Sequence, residues 1–173
     1  DDLVYLGTAD PDLYGGIQNT FRFRKLTLGV YFNYSIGGKI YNISEIYMGN
    51  GSPYTNQYRY MQNAWHPVRN PNSNLPMAGS YDALPSDRMV HDASYLRLKN
   101  VSLSYTFDLK KVSKGCLRDL RVSVSGENLY LWKKYNGFDP DVSTSSSNSA
   151  LRRVDIGAYP KPRTIIFSLQ IRY

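Results

Sequence analysis

The last eleven residues of the chain, Arg163 to Tyr173, alternate between apolar and polar side chains with a single exception, Ile166. Successive side chains of a β-strand point to opposite faces, so this segment predicts a strand with one apolar and one polar face. The strand is long compared with soluble strands, which usually have about 5–6 residues. A strand of this kind needs two different surroundings, one on each side of its sheet.

The same periodicity recurs elsewhere and predicts four main strands, at about 20–36, 94–107, 118–132 and 163–173. The apolar faces are rich in Leu, Val, Phe and Tyr, and the opposite faces in Ser, Thr and Asn. In the second strand, strict alternation places Arg97 and Lys99 on the apolar side with Val101, and Leu96 and Leu98 on the polar side. On that outward face Arg97 and Lys99 could meet lipopolysaccharide phosphates or lie at an aqueous edge.

The connections between these strands are uneven. Residues 108–117 form a short basic turn, whereas residues 42–91 and 133–162 form long loops. An apolar band about 25 Å tall, crossed at about 40° with about 3.3 Å per residue, requires roughly 10 residues per strand. Long strands, short turns on one side and long loops on the other are typical of outer-membrane barrels. The prediction is an all-β fold of antiparallel up-and-down strands that form the C-terminal part of a large transmembrane β-barrel, without a plug domain.

Composition argues against several other functions. The net charge is +7, but the basic residues fall into separate clusters, so no nucleic-acid groove is expected. A single cysteine, Cys116, excludes an internal disulfide. His66 and His91 lack the convergent ligands of a metal or catalytic site, and no cofactor is expected. Asp139-Pro140-Asp141 is interpreted as a turn rather than a calcium site.

Several stretches resemble the C-terminal end of SusC/RagA-type TonB-dependent transporters of Bacteroidetes-like bacteria. They are Gly7, Pro11, Gly16, Asn19 and Phe21 in the opening, DASYLRLKNVSLSYTF from Asp92 to Phe107, VSGENLYLWKKYNGFDPDVS from Val124 to Ser143, and VDIGAYPKPRTIIFSLQIRY from Val154 to Tyr173. The opening resembles that family's periplasmic segment, followed by an upward strand.

The resemblance implies a barrel wall in the outer membrane of a Gram-negative cell, in contact with membrane lipid and without enzymatic activity. It implies uptake of oligosaccharides or peptides, a SusD-type surface lipoprotein that covers the barrel, and energy from the TonB complex through N-terminal parts missing from this chain. It also implies long loops that face outside the cell. Tyr173 is then the barrel-terminal aromatic residue.

Within those loops, side chains that stack on sugar rings or hydrogen-bond to hydroxyls are the candidates for contact with substrate or with the lid lipoprotein. They are Trp65, Tyr54, Tyr58, Tyr60, Tyr135 and Asn136. The alternative for the aromatic residues of the first loop is that they pack that loop onto itself. A glycan is the leading cargo, and a peptide stays open because the loops also carry Arg152, Arg153 and Lys161.

Two other classes of protein are compatible with parts of this pattern. A soluble carbohydrate-binding β-sandwich would also be rich in tyrosine and loops, but it would place the first predicted strand beside the fourth. A secreted glycoside hydrolase would need two positioned carboxylates. Its candidates, Asp139, Asp141 and Asp155, lie in loops without a supporting pattern.

Overall fold

The computed structural model describes residues 4–51, 54–79, 85–109, 117–142 and 152–173. The chain divides into two compact units. The sheet unit consists of Asp12–Ile36, Ser94–Lys133 and Pro160–Tyr173, and the loop unit of Asp1–Pro11, Gly37–Ala93 and Lys134–Tyr159. The helices among the described residues are short, and none is long and apolar enough to cross a membrane.

The sheet unit contains one five-stranded antiparallel sheet. Its strands are β1 (Leu13–Phe23), β2 (Leu26–Ile36), β5 (Tyr95–Asp108), β6 (Asp119–Lys133) and β8 (Thr164–Arg172), and they lie in the order β1-β2-β5-β6-β8. Strands that follow each other in this unit are therefore neighbours in space. This meander confirms the predicted strand order and contradicts the Greek-key crossing of a β-sandwich.

Cross-strand pairs share a face of the sheet, so the register decides which residues lie together. Leu103 pairs with Val124, which pairs with Phe167. One residue away, Ser104 pairs with Ser123, which pairs with Ser168. The sheet thus has one face of large apolar side chains and one face of small polar ones, as the alternation predicts.

The predicted first strand, at 20–36, is wrong. The structure divides this region into β1 and β2, which form a hairpin with Phe23 paired to Leu26. Arg24 occupies the turn with a left-handed backbone (φ 54°), a conformation that most L-residues avoid. The apolar alternation changes phase at this point, from Phe21 and Phe23 to Leu26 and Leu28. The phase change was the available signal for the turn.

The predicted faces of the upper half of β5 are also wrong. The pairing of β5 with β2 moves from Asn100 to Leu98, so Lys99 is an extra residue in a β-bulge. One extra residue reverses the alternation, because the side-chain period of a strand is two. Leu98 and Leu96 consequently pair with apolar residues, whereas Arg97 lies on the other face, with its guanidinium over the Tyr95 ring at 5.4 Å.

The loop unit contains a small sheet and short helices. Its strands β3 (Lys39–Asn42), β4 (Val90–Asp92) and β7 (Val154–Asp155) lie in the order β4-β3-β7, with β7 parallel to β3. Helix α1 spans Ser44–Met48, and 3₁₀ turns span Arg59–Asn63 and Asp87–Met89. The core of this unit consists of Ile40, Ala93 and Tyr135, with Val142 packed against them.

The opening segment belongs to the loop unit. The amide of Lys39 donates to the carbonyl of Thr8 at 2.8 Å, and Arg152 contacts Asp10 at 3.1 Å. The segment is thus bonded to both long connections, residues 37–93 and 134–159. The expectation that it lies on the opposite side of the membrane from the long loops, as a periplasmic segment, is wrong.

Candidate functional site

A half-open pocket of about 240 Å³ lies within the loop unit. Its walls come from the end of β3, from α1, from the segment before the first 3₁₀ turn and from two later parts of the chain. The lining residues are Asn42, Ser44, Met48, Tyr58, Asn136, Gly137, Phe138, Asp155 and Gly157. The pocket has the volume of one amino-acid side chain or one sugar ring, with space for a few water molecules.

Asn42 organises one side of the pocket floor. Its Oδ1 accepts a hydrogen bond from the amide of Ser44 at 3.1 Å, and its Nδ2 donates to Glu45 Oε1 at 3.2 Å. The first contact satisfies the backbone amide of Ser44, where α1 begins, and the second joins two side chains. Glu45 Oε1 also lies 2.9 Å from His91 Nε2, so the carboxylate is fixed from two directions.

Asp155 forms the other side of the floor. It lies on β7 opposite Asn42 and is 4% exposed. Its Oδ2 accepts from the hydroxyl of Tyr135 at 2.7 Å, and its Oδ1 accepts from the amide of Ala158 at 2.9 Å. Burial raises the pKa of Tyr135, and the hydrogen bond to Asp155 and the charge of that carboxylate raise it further.

Aromatic rings form the wall. Tyr58 lines the pocket and stacks on Tyr60, with ring centroids 5.5 Å apart. The pKa of Tyr58 is raised mainly by burial; a hydrogen bond with Asn42 lowers it, and the charges of Glu45 and Asp155 raise it again. Burial also raises the pKa of Tyr60. Both phenols stay neutral, so the wall offers ring faces and hydroxyl groups.

The structure brings together only some of the predicted contact residues. Tyr58 and Asn136 line the pocket, and Tyr60 supports Tyr58 from behind. Tyr54 is largely exposed and does not line the pocket. The structure contradicts the predicted contact of Tyr135 with substrate or lid, because this side chain is 2% exposed and belongs to the core of the loop unit.

Trp65 lies in a separate part of the loop unit. Its indole N–H donates to the carbonyl of Pro71 at 3.1 Å, and its backbone bridges to Met77. The ring is still 38% exposed. Trp65 therefore helps to hold its own loop and also presents part of its ring to the surroundings. The last candidate, Tyr173, follows β8 and is almost fully exposed.

Sequence reasoning missed seven of the nine residues that line the pocket, and Asp155, Asn42 and Phe138 are the most informative of them. Asp155 had been considered only as a weak hydrolase candidate, and Asn42 and Phe138 had not been singled out. Phe138 is 67% exposed, and an exposed aromatic residue between two glycine- and proline-rich turns was the available signal. The role of Asp155 depends on the pairing of β7 with β3, which no local pattern indicates.

The remaining polar motifs have structural roles. The Oδ1 of Asp139 accepts from the amide of Asp141 at 2.9 Å, which confirms the interpretation of this motif as a turn. The Nδ1 of His66 accepts from the amides of Val68 and Arg69. The described residues contain no group of three or more His, Cys, Asp or Glu side chains placed to hold a metal ion.

Comparisons with known proteins agree with this fold. No protein-family model matches the chain. TonB-dependent receptor P3 of Formosa agariphila is 31% identical over 176 residues, which cover 99% of this chain and 17% of the relative. TonB-dependent receptor P26 of the same organism is 31% identical over 180 residues, which cover 100% of this chain and 18% of the relative. TonB-dependent receptor SusC of Bacteroides thetaiotaomicron is 30% identical over 57% of this chain and 9% of the relative.

Among solved structures, the RagAB peptide importer in its open-open state matches with a TM-score of 0.80 and 25% identity, over 95% of this chain and 17% of the compared chain. The closed-closed state matches with the same TM-score over 96% of this chain. The chain therefore spans about a sixth of the length of the curated relatives it matches.

The antiparallel meander, its two chemically different faces and these relatives define the class of protein: the chain is a segment of an outer-membrane β-barrel receptor. Within that class, the chain belongs to the SusC/RagA-type TonB-dependent receptors. The relatives are receptors and importers rather than enzymes.

Proposed function

We propose that this chain forms the C-terminal part of the barrel wall, together with outer loops, of a transporter that takes up nutrients across the outer membrane. The observation that carries this proposal is the division of the sheet into an apolar and a polar face, in a chain that matches TonB-dependent receptors over its whole length. A sheet with one apolar face suits lipid on one side and a wet lumen on the other.

In this arrangement the apolar face of the sheet points to lipid. The lipid-facing residues are Leu26, Val30, Leu103, Phe107, Val122, Val124, Phe167 and Leu169. The lumen-facing residues are Ser35, Ser102, Ser104, Ser123, Ser125 and Ser168. Exposed phenylalanine and leucine side chains on the first face are favourable in hydrocarbon and costly in water.

The cargo is an oligosaccharide or a peptide. The loop unit supports either one, because aromatic rings and amide side chains contact both sugars and peptides. The structural match to RagAB, which is a peptide importer, favours a peptide. The similarity to SusC does not favour either cargo, because the name of that receptor specifies none.

The proposed partners are a SusD-type surface lipoprotein, which would contact the long connections, and the TonB complex, which would act through other parts of the full-length protein. The proposed function is tested by deleting the full-length gene in the bacterium that carries it and measuring uptake of labelled oligosaccharides and peptides. We expect uptake of one class to be lost and to return on complementation. Unchanged uptake of both classes would overturn the proposal.

Trp65 is the strongest single candidate for contact with cargo or lid. Replacing it with Ala in the full-length protein should weaken uptake or binding of the lipoprotein without lowering the abundance of the barrel in the membrane. The matched control is Val68→Ala, which removes an exposed apolar side chain from the same loop. If both variants behave like the parent, the ring of Trp65 serves only to pack its loop.

A further inference from the structure

The floor of the pocket in the loop unit is negatively charged, and its charge is not matched by a strong cation. Both oxygens of Asp155 receive hydrogen bonds from neutral groups, the hydroxyl of Tyr135 and the amide of Ala158. Glu45, behind Asn42, pairs with His91. In the described part of the chain, Asp155 has no ion pair with lysine or arginine. A buried carboxylate in such surroundings gains stability from a cation.

The neighbouring tyrosines respond to this charge. After burial, the carboxylates of Asp155 and Glu45 are among the causes that raise the pKa of Tyr135 and of Tyr58. Both effects have the sign expected of a negative potential, because a negative potential opposes the formation of phenolate. Tyr58 and Asp155 both line the pocket, so this carboxylate lies at the pocket's open volume.

The walls of the pocket also suit an organic cation. Tyr58 and the exposed Phe138 contribute aromatic rings, whose faces carry negative partial charge and attract ammonium and guanidinium groups. Met48, Gly137 and Gly157 add lining without polar side chains, against which a hydrocarbon stem can lie. A Cβ on Gly137 would overlap the ring of Tyr135, so glycine keeps this part of the wall close.

A neutral sugar ring fits the same pocket less well. A sugar presents several hydroxyl groups, and each needs a partner when it leaves water. The deepest polar side chains of the pocket already bond to the protein itself, Asn42 to Ser44 and Glu45, and Asp155 to Tyr135 and Ala158. Besides the hydroxyl groups of Ser44 and Tyr58 and the amide of Asn136, the pocket offers one negative charge and aromatic faces. A ligand with a single positive charge on an apolar stem matches the charge and the rings together.

We propose that this pocket binds the basic side chain, lysine or arginine, of a peptide cargo. The inference rests on the proposed function and names the substrate class of that transporter. The ammonium or guanidinium group contacts the carboxylate of Asp155 and the rings of Tyr58 and Phe138, while the methylene stem lies along Met48 and the glycines.

The test measures binding to the full-length protein in detergent by calorimetry, with two probes of equal length. The first is acetyl-Gly-Lys-Gly-amide, and the second carries norleucine in place of lysine, which keeps the stem and removes the charge. We expect the lysine probe to bind about tenfold more tightly, as one charge-assisted contact provides. Its affinity should also fall as salt is added.

Two variants locate the binding. Asp155→Asn should lower the affinity for the lysine probe by about tenfold and leave the affinity for the norleucine probe unchanged. Phe138→Ala removes a largely exposed ring, so it does not disturb folding, and should weaken the lysine probe by a few-fold through loss of the cation–π contact. The matched control is Asp10→Asn, which removes the same charge from the loop unit outside the pocket and should have no effect.

Equal binding of the two probes, or an equal response to Asp155→Asn and Asp10→Asn, would overturn the proposal. Tighter, Asp155-dependent binding of a glucosamine disaccharide than of the lysine probe would also overturn it, in favour of an amino sugar.

Failure of the proposed function can be distinguished from failure of the pocket proposal. If the protein binds the lysine probe through Asp155 but imports neither oligosaccharides nor peptides, the pocket is supported and the transport function is contradicted. If import occurs but is insensitive to Asp155→Asn, only the pocket proposal is contradicted.

Discussion

The sheet unit and the loop unit place opposite kinds of side chain on the outside. In the sheet unit, Phe167 is 82% exposed and Leu169 is 64% exposed. In the loop unit, Ile40 is fully buried, and the polar side chains of Asn42 and Asp155 are buried beside it with hydrogen-bond partners. The exposed side chains of the sheet unit are favourable in hydrocarbon. The buried polar side chains of the loop unit tolerate the absence of water because they have hydrogen-bond partners within the protein.

The two units are also stabilised differently. The sheet depends on long ladders of backbone hydrogen bonds, which run the length of each strand and do not require particular side chains. The loop unit has short strands and a small core, so single side-chain contacts carry more of its stability. The effect of a substitution on stability should therefore depend on the depth of the residue in the membrane for the sheet unit. For the loop unit it should depend on the particular contacts that the side chain makes.

The largest effect is expected for a charge on the apolar face. Val124→Arg should cost about 2–4 kcal/mol of unfolding free energy, because Val124 shares with its pairing partners Leu103 and Phe167 the apolar face that we propose faces lipid. The measurement is chemical unfolding of the full-length protein in lipid vesicles. Ser123→Arg is the matched control on the opposite face and should cost less. Equal losses for the two variants would contradict the assignment of faces.

A smaller effect is expected inside the loop unit. Tyr135→Phe removes the hydroxyl that donates to Asp155 and should lower the opening free energy of this unit by about 1.5–3 kcal/mol. Hydrogen exchange at the amides of Tyr41 and Ile43, which bond to the β7 region, reports that opening. Tyr159→Phe, at an exposed position, is the control. Equally faster exchange in the sheet unit would show that the two units do not open separately.

The smallest effect is expected at the surface of the loop unit. Arg152 pairs with Asp10 at 3.1 Å, and both side chains are more than half exposed. Arg152→Ala should change the same opening free energy by less than about 0.5 kcal/mol, because water and salt screen such pairs. A loss comparable to that of Tyr135→Phe would mean that surface charge, rather than the buried core, holds the opening segment in place.

Periodicity predicted the sheet well, because a strand with lipid on one side must keep its alternation. The ranges of β5, β6 and β8 lie within one residue of the predicted ones. The errors occur where the alternation changes phase, at the Arg24 turn and at the Lys99 bulge. A phase change indicates either a turn or an extra residue, and pairing with the neighbouring strand is needed to decide between them.

The candidate site was less predictable, because it depends on contacts between distant parts of the chain. Tyr58 and Asn136 were identified from their chemistry, and the structure places both at the pocket. Tyr135 has the same chemistry and the same kind of local sequence, yet it is buried against Ile40 and Ala93. The hydroxyl of Tyr135 donates to Asp155, whose strand β7 pairs with β3, and neither contact is indicated by the local sequence.

The parallel pairing of β3 with β7 also has a consequence for the order of assembly. Tyr41 and Val154 are separated in sequence by two long strands of the sheet, and closing a loop of that length costs entropy that local contacts do not repay. Contacts of such long range form slowly, after the local ones. The loop unit therefore acquires Asp155, and with it a complete pocket, only when the chain up to β7 has been delivered. Binding of the proposed basic side chain at this pocket would then require a chain that is complete through β7.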